Sequence, residues 1–119
     1  MKVTNELEIM KEIDKKDGFL LVLFSTPTCG KCEIAERYLE EVKEQLPDFV
    51  SFKCNVEESS EIIDKYNVTS APSFKVFIDG EVVQTLFGLR TKDDLYYTLT
   101  DYLKKNANTY EDLWGDLLK

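Results

Sequence analysis

The stretch Phe19-Leu20-Leu21-Val22-Leu23-Phe24 is apolar at every position, with Gly18 before it and Ser25 after it. A strand with one face in water alternates apolar and polar residues, whereas an unbroken run needs cover on both faces. The chain therefore needs a sheet with helices on either side, and the rest of the sequence supplies them. Leu7, Ile9, Met10 and Ile13 recur at helical spacing over 5–16, and Lys15-Lys16-Asp17-Gly18 supplies a stop. A second amphipathic helix is predicted over 30–46. Its stripe is Ile34, Ala35, Tyr38, Leu39, Val42 and Leu46, and Pro47 ends it.

Phe49–Val56 reads as a second strand and Glu61–Tyr66 as a short helix, with Asn67 at its left-handed end. The runs 73–78 and 81–87 flank Asp79-Gly80, a strong hairpin signal. Thr91 and Asp94 form a capping box ahead of Leu95, Leu99 and Leu103. The order α-β-α-β-α-β-β-α predicts one α/β domain over 1–105, a central mixed sheet of about four to five strands with helices on both faces. After the break at 104–108, Thr109 and Asp112 repeat the capping spacing before Leu113, Trp114, Leu117 and Leu118. An amphipathic helical extension over 106–119 is expected, packed on its own domain in a monomer, since short isolated helices are marginal in water.

Charge and composition narrow the function. The 119 residues carry a net charge of −8, with acid concentrated over 33–61, which argues against binding nucleic acid. No apolar stretch reaches the ~18–20 residues that span a bilayer. The start, MKVTNELEIMKEID, has no apolar core of a secretory signal, so a cytoplasmic location is expected. There is no histidine, and the cysteine count is 3. Cys-His and Ser-His-Asp arrangements are excluded, and thiols become the candidate chemistry.

Cys29-Gly30-Lys31-Cys32 lies where the apolar strand gives way to the long helix. Such a pair can be a redox dithiol, half of a zinc site, or two inert buried thiols. Zinc needs four ligands, and only Cys54 is left to join the pair, so no metal is expected. Redox use fits the position. The unsatisfied N–H groups and positive end of a helix stabilise a thiolate at Cys29, and Lys31 adds charge nearby. Pro27 and Gly30 shape the turn. Cys32, one turn in, is expected to be buried and within bridging distance. Dithiol–disulfide exchange needs this combination of accessible attacker and sheltered resolving partner. Cys54 reads as a small buried apolar residue, with a regulatory thiol as the alternative.

These residues resemble the thioredoxin family over roughly 1–105. Thr28-Cys29-Gly30-Lys31-Cys32 resembles the family's WCGPC, and Lys53-Cys54-Asn55-Val56-Glu57 its KLNID strand. Residues 66–73 (YNVTSAPS) resemble its YGIRGIPT, Phe77-Ile78-Asp79-Gly80-Glu81 its FKNGE, and Gly88 its glycine before the last helix. The resemblance implies a thioredoxin fold and a protein-disulfide reductase with Cys29 as nucleophile and Cys32 as resolving thiol. Its only cofactor would be the reversible Cys29–Cys32 disulfide. Its partners would be disulfide-containing proteins and a thioredoxin reductase or similar electron donor. It also implies a cis Ala71–Pro72 bond and a substrate groove at Ala71, Pro72 and Gly88. The alternative is a thioredoxin-like binding module with weakened catalysis.

Three departures from the family pattern accompany the match. Leu23 stands where thioredoxins place a buried aspartate that moves the resolving thiol's proton. Lys53 then loses its expected partner, and should turn outward or have a lowered pKa, with its neutral amine as a base for Cys32. Thr28 replaces tryptophan, removing an apolar platform beside the nucleophile. Lys31 replaces proline, and its charge is expected to raise the reduction potential by only about 10–20 mV, leaving it reducing.

Overall fold

The computed structural model describes residues 4–105. The extension expected over 106–119 lies outside the described residues. The elements are α1 (Glu6–Asp14), β1 (Phe19–Ser25), α2 (Gly30–Lys43), β2 (Val50–Asn55), a 3-10 turn (Val56–Glu58), α3 (Ser60–Tyr66), β3 (Ser73–Ile78), β4 (Glu81–Phe87) and α4 (Lys92–Lys105). The described residues form a four-stranded sheet in the order β2-β1-β3-β4. β1 runs parallel to β2 and antiparallel to β3, which pairs antiparallel with β4.

The apolar run is β1, and every one of its residues is buried. Its side chains divide by parity, as a pleated strand requires. Phe19, Leu21 and Leu23 pack with Leu39 and Val42 of α2 and with Leu95 and Leu99 of α4. Leu20, Val22 and Phe24 pack on the other face with Ile9 and Ile13 of α1 and Ile62 of α3. The two cores meet at one strand, which explains why residues 19–24 include no polar position.

Local chemistry fixes the ends of the elements. Asn5 caps α1, its side chain accepting from the Glu8 N–H at 2.9 Å. Thr91 accepts from the Asp94 N–H at 3.1 Å, but Asp94 itself pairs with Arg90 instead of closing the capping box. Asn67 is left-handed at φ 53°, as expected after α3. In the hairpin, Asp79 accepts from the Gly18 N–H at 2.8 Å, which ties this turn to the one before β1. Gly80 is required there. Its φ is +86°, and a Cβ would come within 2.8 Å of the Lys16 side chain. α2 ends at Lys43, short of the expected 46. Residues 44–46 continue as turns, in which Gln45 and Leu46 donate to the carbonyls of Val42 and Lys43, and Leu46 stays buried.

This topology gathers the chemistry at one edge. Register partners Phe24 and Cys54, and Phe24 and Ser73, place the ends of β1 and β2 beside the start of β3. Ser73 pairs in turn with Phe87, which brings the end of β4 to the same edge.

Candidate active site

Cys29 is the N-cap of α2, extended at φ −107° and ψ 113°. Its sulfur accepts from the backbone N–H of Cys32 at 3.2 Å. The sulfur thus occupies the place where a serine or aspartate oxygen usually caps a helix, and satisfies one of the orphan donors there. The two thiols differ in setting. Cys29 is partly exposed and Cys32 is buried, and both are free. Hydrogen bonding from the Cys32 thiol, then from the Cys32 backbone N–H, holds the Cys29 pKa below the ordinary thiol range. Burial, then the hydrogen bond to Cys29, pushes the Cys32 pKa up.

Two neighbours add hydrogen bonds to this setting. Lys31 is exposed, and its backbone N–H also lowers the Cys29 pKa. Thr26, which sequence reasoning missed, lowers the Cys29 pKa through its side chain. Its backbone and side chain also partly offset the rise at Cys32. A hydroxyl three residues before the cysteine that opens the helix is the signal that could have marked it.

Ala71–Pro72 is a cis peptide bond. Gly88, at φ +73°, donates its backbone N–H to the Pro72 carbonyl at 2.9 Å, so the two expected groove residues are joined. Ala71 also borders an opening of about 300 Å³ that includes Thr26, Val56, Ile63 and Val68. Thr28 and Gly30 are exposed on the rim. Phe87 and Leu89, either side of Gly88, are exposed apolar side chains at 58% and 39%. They supply hydrocarbon surface at the edge where Thr28 stands in place of the family's tryptophan.

Comparison with known proteins agrees with this geometry. The thioredoxin family model matches residues 1–101. The chain belongs to the thioredoxin family. It is 34% identical to the thioredoxin of Bacillus subtilis over 91 residues, which is 76% of this chain and 88% of that protein. It is 36% identical to the thioredoxin-like protein YusE of the same organism over 80 residues, 67% of this chain and 74% of the relative. A solved thioredoxin structure from Plasmodium falciparum superimposes with a TM-score of 0.74 at 32% identity, covering 84% of this chain and 96% of that one. Family and fold together support thiol–disulfide oxidoreductase chemistry.

The surroundings of Lys53 differ from the sequence expectation. Leu23 is fully buried and is the register partner of Lys53, so the lysine stands beside hydrocarbon. Lys53 is nevertheless not unpaired. Its Nζ lies 3.0 Å from Oε1 of Glu36, with both side chains about four-fifths shielded at 22% and 21% exposure. It is an ion-paired ammonium, not the free amine base expected from the sequence. The carboxylate arrives from α2 because Glu36 is four residues after Cys32, on the same helical face. Cys32, Lys53 and Glu36 line one cavity of about 340 Å³, with Ser25, Thr26 and Asn55 among its other walls. The i, i+4 spacing from the second cysteine was the available signal for Glu36.

Among the described residues, no group of three or more acidic or cysteine side chains could hold a metal ion. In the same residues, no helix is long and apolar enough to cross a membrane.

Proposed function

We propose that this thioredoxin-family protein reduces protein disulfides. The observation that carries the reading is the asymmetry of two hydrogen-bonded thiols, an accessible Cys29 with a lowered pKa and a buried Cys32 with a raised one. The Cys29 thiolate attacks one sulfur of a substrate disulfide, forms a mixed disulfide and expels the other sulfur as a thiolate, which takes up a proton. Cys32 then loses its proton and attacks the Cys29 sulfur. The Cys29–Cys32 disulfide forms as the second substrate thiol leaves. Two electrons pass to the substrate, and a reductase or similar donor returns them. The cleft beside Pro72 and Gly88 offers backbone groups to an extended substrate segment. A cytoplasmic setting, where such a pair is kept reduced, fits this direction of electron flow.

Insulin reduction followed by turbidity, with dithiothreitol as electron source, tests the reading. Activity is expected in the wild type and absent in Cys29→Ser. Equal activity in Cys29→Ser, or none in the wild type, would sink it and leave the binding-module alternative. Cys32→Ser should accumulate stalled mixed disulfides in a cell extract, which identify substrates and the electron donor together.

A further inference from the structure

The resolving step needs the proton of a buried thiol to go somewhere. Cys32 is 3% exposed, and burial favours its protonated form. β1 brings no carboxylate to this spot, because its positions here are Leu23 and Ser25. The charged side chains that line the cavity beside Cys32 are Glu33 and Glu36 from α2 and Lys53 from β2. Glu33 is exposed, whereas Glu36 is largely shielded and held by Lys53 at 3.0 Å. Residues four apart on a helix have Cβ atoms about 5–6 Å apart, near enough for one water to bridge their side chains. The cavity of about 340 Å³, with Ser25, Thr26 and Asn55 in its walls, has ample room for one.

We propose that Glu36, oriented by Lys53, accepts the Cys32 proton through water in this cavity as Cys32 attacks the Cys29 sulfur of the mixed disulfide. This rests on the oxidoreductase reading above. The S–H bond of Cys32 breaks, its electron pair forms the bond to Cys29, and the Cys29–substrate bond breaks with the pair leaving on the substrate sulfur. The proton held at Glu36 then returns to solvent or to the departing thiolate. Lys53 supplies no proton. It keeps the carboxylate turned into the cavity.

The electrostatic consequence of Glu36→Gln has the opposite sign to the proton-transfer consequence. Removing a negative charge beside Cys32 while keeping the Lys53 ammonium stabilises the Cys32 thiolate, and by itself speeds resolution. Loss of a positioned proton acceptor slows it, on the order of 100-fold. A slower variant therefore reports proton transfer.

The measurement uses a dithiol titrated with 5,5′-dithiobis(2-nitrobenzoate) in a stopped-flow instrument. The first released thionitrobenzoate reports attack by Cys29, and the second reports resolution by Cys32. Glu36→Gln should leave the first phase unchanged and slow the second at neutral pH. The gap should close as pH rises past the Cys32 pKa, where the thiolate forms without help. A structural defect would not close with pH. A second phase in Glu36→Gln that overlays or outruns the wild type at neutral pH would overturn the assignment, as would a loss carried by Glu33→Gln in place of Glu36→Gln. Absence of any second phase in the wild type would instead dismiss the oxidoreductase reading itself.

Discussion

The backbone N–H of Cys32 donates to the Cys29 sulfur at 3.2 Å, so the second cysteine helps to ionise the first before any substrate arrives. The helix start gives Cys29 an anion's environment, while its own burial denies one to Cys32. Only the ionised thiol alkylates, so the two should react in separate pH ranges. With iodoacetamide and peptide mass mapping, Cys29 should label with a midpoint below the ordinary thiol range, and Cys32 only well above it. Coincident midpoints would mean that the helix end does not polarise the pair.

Cys54 provides an internal contrast. It is fully buried, its thiol donates to Ser59 at 3.2 Å, and burial raises its pKa. It should resist alkylation in the native protein at neutral pH and label fully in denaturant. Ready labelling of native Cys54 would revive the regulatory-thiol reading.

Lys75 is a charged residue in the core, 6% exposed, with its Nζ 2.9 Å from the Thr85 hydroxyl. Burial lowers its pKa, so the unfolded chain binds its proton more tightly than the folded one. The resulting penalty is full below the folded pKa and vanishes above the unfolded value of about 10.4. Lys75→Met removes that penalty and keeps the packing volume. Urea unfolding should show a gain of about 1 kcal/mol at pH 7, shrinking as pH approaches the unfolded lysine pKa. A loss at pH 7 would show that the bond to Thr85 outweighs desolvation.

Much of the fold could be read from the sequence because its signals were local. An unbroken apolar β1, Asp79-Gly80 and Asn67 each constrain a few neighbouring residues, and each took the form expected. The spacing of Cys29 and Cys32 placed the pair correctly for the same reason. Lys53 was misread because its partner depends on how α2 lies over β2. Leu23 showed that the usual strand position held no carboxylate, and Glu36 sat 17 residues away in sequence, in a helix full of other acids. Helical phase relative to Cys32 singled it out, but only the packing confirmed the contact. Thr26 was missed because its effect runs through hydrogen bonds at a loop, which spacing does not encode.

That relocation of the carboxylate yields a direct test of why Leu23 is leucine. Leu23 is fully buried, lying in the same core as Ala35, Leu39 and Phe74. Leu23→Asp removes a buried hydrocarbon side chain, a truncation that costs roughly 2–5 kcal/mol, before any charge is counted. A buried carboxylate binds its proton more tightly than an unfolded one, whose pKa is about 3.9, so the charge penalty grows as pH rises above that value. Lys53 offsets part of it, but that ammonium is already held by Glu36. The expected result is a loss of about 3–5 kcal/mol at pH 7 in urea unfolding, smaller at pH 5. Combining it with Glu36→Ala should cost less than the sum of the two single changes, because Lys53 then has one carboxylate to pair with instead of two. Additive losses would mean that Lys53 cannot reach position 23, and that this core is built for the ion pair with α2 alone.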